Sequence, residues 1–494
     1  MIDRSSGILM PMSSLPSPYG IGTMGKSAYR FVDFLAAAGQ KYWQLLPLGP
    51  TSYGDSPYQS FSSFAGNPYY IDLDLLIQDK LLKPAEVKNR DWGSDPARTD
   101  YGKIYENRFA VLRLAYDRGA ARYAEELAAF RRENAWLEDY ALFMAIKRSR
   151  GMIAWTAWPE ALRLRREDAL AQARAELKED VDFFAFIQFL FYRQWEALRA
   201  YAREKGIAFI GDVPIYVALD SADVWSEPRF FQLDEKNVPT EVAGVPPDSF
   251  NEDGQLWGNP LYDWDAMKKD GYGWWIRRID GARKLYDVLR IDHFRGLESY
   301  WAVPYGETTA KNGVWRPGPG MGLVGVLKSW FRDLDFIAED LGYTTPGVRQ
   351  LLEDSGLPGM KVLLFAFDGH GDSDYLPHNI LPNSSCYIGT HDNETVQGWL
   401  KTTDKVCLRF ARRYLHITED EGWNWGLIRG GMATASRLFV VQMQDVLELG
   451  ADARMNSPGI AAGNWQWRML PGACDRALAK KLRLYTETYR RVSK

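Results

Sequence analysis

Eight short apolar runs recur along the 494 residues, with helical patterns between most of them. They cover residues 6–12, 42–48, 207–216, 288–296, 334–342, 361–367, 385–393 and 438–445. Runs this short and this continuous read as strands buried on both faces, the pattern of a parallel sheet covered by helices. Between the first two, Tyr29, Phe31, Val32, Phe34 and Leu35 recur at near-helical spacing, and Gly39 supplies the stop. Eight such β/α units imply an α/β fold, a single (β/α)8 barrel over 1–494, with active residues at the carboxyl ends of its strands.

The units are unequal. Residues 52–205 are rich in Ala, Leu, Glu, Arg and Lys, with apolar residues every three to four positions over most of that length. This reads as a mainly helical insertion after the second strand, its charge spread over solvated helix faces. Residues 217–287, after the third strand, read as a second insertion of loop and helix. Within it, 245–260 is dense in Pro, Gly, Asn and Asp without periodicity and reads as a long mobile loop.

Composition narrows the function. A net charge of −4 argues against nucleic acid or an anionic membrane as the main partner. No run approaches the roughly 18 apolar residues of a membrane span, and the first residues do not form a secretory pattern. Cys386, Cys407 and Cys474 include no C-x-x-C pair, which fits a reducing, cytoplasmic setting. Aromatic residues reach 14%, and Trp225, Trp257, Trp264, Trp274, Trp275 and Trp315 fall in segments that read as loops. Flat rings with polar edges suit the apolar face of a sugar, or a protein contact. Gly320 to Gly325 fits G-x-G-x-x-G but follows Arg316-Pro317-Gly318-Pro319 instead of a strand, so no dinucleotide cofactor is expected.

Four acids occupy equivalent places. Asp212, Asp292, Glu339 and Asp392 each follow an apolar run. In a barrel these ends converge on one rim, and crowded like charges are rarely structural. Strand alternation puts Leu289 and Ile291 on one face and Arg290 and Asp292 on the other. A guanidinium there lowers the pKa of its carboxyl neighbour. The result is either a plain ion pair or the ionised nucleophile of a glycosidic reaction. His293 and His391 flank the acids and raise a metal site as the rival. A barrel metal centre would be expected to bring a His-x-His to the first strand, which has none, so no metal is expected.

Arg290-Ile291-Asp292-His293-Phe294-Arg295-Gly296, Glu339-Asp340-Leu341-Gly342 and Thr390-His391-Asp392-Asn393 resemble the three catalytic-acid motifs of the α-amylase clan. Further pieces are closer still to the amylomaltases, the 4-α-glucanotransferases of glycoside hydrolase family 77. These are Ser56-Pro57-Tyr58-Gln59-Ser60, Gly211-Asp212-Val213-Pro214-Ile215-Tyr216-Val217, Asp220-Ser221-Ala222-Asp223-Val224-Trp225, the 245–260 loop, Ala453-Arg454-Met455-Asn456 and Gly463-Asn464-Trp465. The resemblance covers nearly the whole chain and implies a barrel without a C-terminal β-sandwich. It implies Asp292 as nucleophile, Glu339 as general acid and then base, and Asp392 as stabiliser of an oxocarbenium-like transition state. It further implies that Arg290 keeps Asp292 ionised, that His293 and His391 hydrogen-bond the sugar before the cleaved bond, that Tyr58 stacks on that ring, that Asp212 binds its hydroxyls and that Trp257 closes over the chain. The expected partners are α-1,4-glucans: maltooligosaccharides, amylose and dextrins. The expected reaction is retaining transfer to a 4-hydroxyl, with cyclisation possible. An α-glucan hydrolase of the same clan, or a non-catalytic glucan-binding barrel, is the alternative.

Overall fold

Strand pairing follows the apolar runs. The computed structural model describes residues 2–492 except 53, 249–250, 343, 369–372 and 461. Ser249 and Phe250 of the 245–260 loop therefore lie outside the described residues. In chain order the strands are β1 (Ser5–Leu9), β2 (Tyr42–Gln44), β3 (Ala208–Val213), β4 (Glu241–Val245), β5 (Gln255–Pro260), β6 (Val288–Ile291), β7 (Ser299–Pro304), β8 (Val314–Pro317), β9 (Asp335–Ala338), β10 (Gly359–Val362), β11 (Ser384–Tyr387) and β12 (Leu438–Gln442). Eight of them close a parallel barrel in the order β1-β12-β11-β10-β9-β6-β3-β2. Each corresponds to one of the eight apolar runs. Their side chains are almost wholly buried, as a sheet with packed interior and helix-covered exterior requires.

Between β2 and β3 the long elements are helices, among them Tyr101–Gly119, Trp136–Ser149 and the 27-residue Lys178–Glu204. Phe183, Phe186 and Phe189 on the last of these meet Tyr116, Tyr123 and Phe130 in an aromatic core of their own. That core anchors the segment to the long helix, which leads straight into β3 and the Asp212 that β3 carries. No helix among the described residues is long and apolar enough to cross a membrane.

The stretch 217–287 departs from its reading as loop and helix. It contains β4 and β5, which join β7 and β8 in an antiparallel sheet of order β5-β4-β7-β8. β4 pairs with β5 inside the stretch, but its other partner, β7, lies beyond Val288, so half of the pairing that holds β4 is invisible in its own neighbourhood. A shift in register between Val242 and Gly244 further breaks the alternation that would signal it. The last six residues of the 245–260 loop are thus a strand, and Trp257 sits on it.

Candidate active site

Three of the four acids arrive from adjoining strands, β3, β6 and β9. β3 and β6 pair with Asp212 opposite Arg290. Backbone pairing then continues past the strands: Asp292 N–H donates to Val213 O (3.0 Å), Glu339 N–H to Ile291 O (3.0 Å) and Phe294 N–H to Glu339 O (2.9 Å). Asp292 and Glu339 are therefore held side by side by adjoining chains. Asp392 enters from the turn after β11, which the Asn393 side chain ties by accepting from Thr390 N–H (2.8 Å).

Arg290 is the hub. One guanidinium nitrogen, Nη1, donates to both oxygens of Asp212 (2.7 and 2.6 Å) and to Asp292 Oδ1 (2.9 Å). Arg290 and Asp292 share a face, as alternation required. The Asp212 side chain is fully buried, with the Arg290 guanidinium as its partner there. Its Oδ2 also accepts from the Tyr58 hydroxyl (2.6 Å), whose oxygen lies 2.8 Å from His391 Nε2. Tyr58 has one proton and Asp212 takes it, so His391 donates from Nε2. Burial lowers the pKa of His391, which favours the neutral ring. Tyr58 stacks on His391 at 5.3 Å between centroids, with Trp465 tilted against both.

The electrostatics differ from the sequence expectation for Asp292. Its side chain is 26% exposed to the cleft, with protein packed around the rest. Burial raises its pKa well above the aspartate range. Arg290 pulls it down, as expected, but the fields of Asp212, Glu339 and Asp392 push up again. Burial raises Glu339 too, opposed by Arg290 and by backbone N–H donors at His293 (2.7 Å) and Leu341 (3.0 Å). Two raised, adjoining carboxyls titrate as a pair and retain a shared proton to higher pH than either would alone. Arg290 touches Asp292 and makes no hydrogen bond to Glu339, so its charge favours the arrangement with the proton on Glu339. Arg290 itself loses from burial, yet the fields of Asp212 and Asp292 override that loss and raise its pKa.

His293 places its N–H on Glu339 from a left-handed backbone conformation (φ +51°). This costs a non-glycine residue roughly 1–2 kcal/mol, and such strain clusters at functional sites. Burial takes the imidazole down to about 3, so it is neutral. Trp257 and the His293 ring stand nearly perpendicular, with centroids 4.8 Å apart. Asp392 Oδ1 accepts from the Asn456 amide (2.6 Å), and Arg454 ties Asp392 O and Glu394 together (2.8 and 2.6 Å).

A cleft extends in two directions from these groups. One chamber, about 540 Å³, is bounded by Tyr58, Trp257, Asn456 and Trp465. The other, about 850 Å³, is bounded by His293, Glu339, Trp315 and Phe365. Asp292 and Asp392 line both. All nine residues singled out from the sequence lie in this one neighbourhood, seven lining the cleft and two, Asp212 and His391, bonded to the Tyr58 hydroxyl behind it.

Not every loop tryptophan serves the cleft. Trp225, Trp274 and Trp275 are 0, 3 and 1% exposed. Trp225 packs on Phe143 and Trp158, and the other two on Tyr262. Asn456 and Trp465 were visible only as parts of matching motifs, without a role. Nothing local in the sequence signals that Asn456 grips a carboxylate 64 positions upstream. Among the described residues no group of three or more His, Cys, Asp or Glu side chains is arranged to hold a metal ion.

Comparison with known proteins agrees with this geometry. Residues 10–473 match the glycoside hydrolase 77 family model, described as 4-alpha-glucanotransferase. The chain is 48% identical to the 4-alpha-glucanotransferase of Clostridium butyricum, over 98% of this chain and all of that one. It is equally 48% identical to that of Thermus thermophilus, over 99% of this chain and all of that one. Its fold superposes on the amylomaltase of Streptococcus agalactiae, solved in complex with acarbose, with a TM-score of 0.97 and 43% identity over 99% of this chain and all of that one. With the acids of three motifs gathered at one barrel rim and a family match running almost end to end, the chain belongs to glycoside hydrolase family 77, the 4-α-glucanotransferases.

Proposed function

We propose that the enzyme transfers segments of α-1,4-glucans to the 4-hydroxyl of glucose or of another glucan, by double displacement through a glycosyl ester on Asp292. The observation that carries the assignment of roles is the asymmetry of the adjoining pair: Arg290 bonds Asp292, while Glu339 is held by backbone N–H groups alone. Asp292 Oδ attacks the anomeric carbon as its bond to the departing 4-oxygen breaks, and Glu339 gives that oxygen its proton. A second glucan's 4-hydroxyl then attacks the same carbon, returns its proton to Glu339 and frees Asp292. Asp392, fixed by Asn456, faces the positive charge that develops at the anomeric carbon in each displacement. Asp212, Tyr58, Arg290 and His391 form the bonded floor under the reacting sugar, with His293 and Trp257 at its side.

Incubation with maltotriose gives glucose and longer oligomers without a matching rise in total reducing ends. Glucose and maltose alone would instead identify a hydrolase. Preference for transfer requires that a bound hydroxyl outcompete water, which proximity and exclusion supply.

The dependence on pH follows from the pair. Acid adds a second proton, silencing Asp292, and alkali removes the one on Glu339, so kcat/KM is bell-shaped. Because Asp292 is raised, the acid limb lies above the value near 4 of an ordinary aspartate. Asp212→Asn removes a negative neighbour, so Asp292 ionises more readily and the acid limb moves to lower pH. A limb that stays in place, or moves upward, contradicts the assignment. A cytoplasmic setting is part of the proposal, supported by Cys386, Cys407 and Cys474 standing as free thiols.

A further inference from the structure

The two chambers are not equivalent, and Glu339 distinguishes them. It lines only the larger one, together with Trp315. If Glu339 protonates the departing oxygen, the departing segment lies on its side, and so does the acceptor that later replaces that segment. The remaining glucan, esterified to Asp292, lies in the chamber of Tyr58 and Trp257. This orientation rests on the role proposed above for Glu339.

Trp315 stands on β8, where all four residues are exposed, and is itself 43% exposed. An exposed tryptophan on a sheet edge is poorly explained by packing and invites association with other chains. Yet its position is built. The Arg295 guanidinium lies over the ring at 4.1 Å, and Arg295 is only 7% exposed. Trp301, the cross-strand partner of Trp315, meets it edge-on at 5.2 Å and is pinned by its own Nε1–H to Ala310 O (2.8 Å). Arg295 Nη2 donates to Ser299 Oγ (3.3 Å), so the guanidinium is anchored from the side. A ring supported by a cation and by a second tryptophan, with its remaining surface turned to the chamber of the general acid, is a rigid platform.

We propose that Trp315, backed by Arg295, is the platform on which the acceptor glucan lies, and that it sets the ratio of transfer to hydrolysis. The step concerned is the second displacement. The bond between the anomeric carbon and Asp292 breaks as the bond to the acceptor 4-oxygen forms, and the hydroxyl proton passes to Glu339. Water undergoes the same step without needing a platform. An acceptor sugar held by its apolar face on Trp315 both presents its hydroxyl and displaces water from the chamber.

Trp315→Ala and Trp315→Phe test this, with maltotriose as donor and labelled glucose as acceptor. The alanine variant raises the acceptor KM about tenfold and increases the hydrolysed share of maltotriose by a similar factor. The initial burst of fluoride from α-maltosyl fluoride, which reports esterification of Asp292 before any acceptor or water is used, stays within about twofold of wild type. The phenylalanine variant, which keeps a ring, recovers most of the transfer. Unchanged acceptor KM and unchanged product ratio in Trp315→Ala would overturn the proposal. So would fluoride release falling as far as transfer, since the ring would then act on the donor or the fold. Failure of the Glu339 role is distinguishable, because it appears in Glu339→Gln and leaves these ratios untouched.

Discussion

Asp292→Asn lowers kcat for maltotriose disproportionation by a factor on the order of 10⁴ to 10⁶, the scale seen when a covalent nucleophile is removed. The amide matches the carboxylate in shape, so the loss is chemical. Arg290 keeps both bonds to Asp212, which holds the hub in place. Maltotriose binding, measured by calorimetry, persists, because Tyr58, Trp257, His391 and Trp465 are untouched. Turnover within tenfold of wild type would falsify the assignment of Asp292 and revive the glucan-binding alternative.

Glu339→Gln produces the second largest loss, and one that depends on the leaving group. General acid–base assistance is worth about 10²–10⁴ per step, and here both displacements use it. Maltotriose turnover, set by the slower of the two, therefore falls by about 10²–10⁴. With α-maltosyl fluoride the first step recovers, because fluoride departs without a proton, and a glycosyl ester on Asp292 accumulates for detection by mass spectrometry. The alkaline limb of the pH profile disappears with the carboxyl that caused it. Equal losses on maltotriose and on the fluoride would remove Glu339 from the acid role.

The barrel was legible because its strands are buried on both faces. Short apolar runs flanked by helical patterns, such as the one that opens at Leu438, favour a buried strand over a helix. Their ends were not legible. The run 361–367 stays apolar beyond β10, but Leu363–Phe365 turns into a short 3-10 helix that lets Phe365 reach the cleft, 42% exposed. Hydrophobicity does not distinguish a strand from the turn that follows it. The antiparallel sheet was hidden for the opposite reason. β8 is exposed at every residue, and β4 pairs with a strand some sixty positions away. The acids were legible as a recurring place in the repeat, and the Arg290–Asp292 contact as a matter of alternation. The net pKa direction of Asp292 was not, because burial and three further carboxyls outweigh one guanidinium, and burial is a property of the assembled rim.

The acids stand at the waist of the cleft, with a chamber on either side, and not at the bottom of a pocket. A pocket would count sugars inward from a chain end, whereas a waist admits a polymer at any interior linkage and carries no ruler. Each cycle breaks one α-1,4 linkage and makes another of the same kind, so bond enthalpy offers no direction. Left alone with a single oligomer, such a catalyst spreads it toward the broadest mixture of lengths, driven by the entropy of mixing.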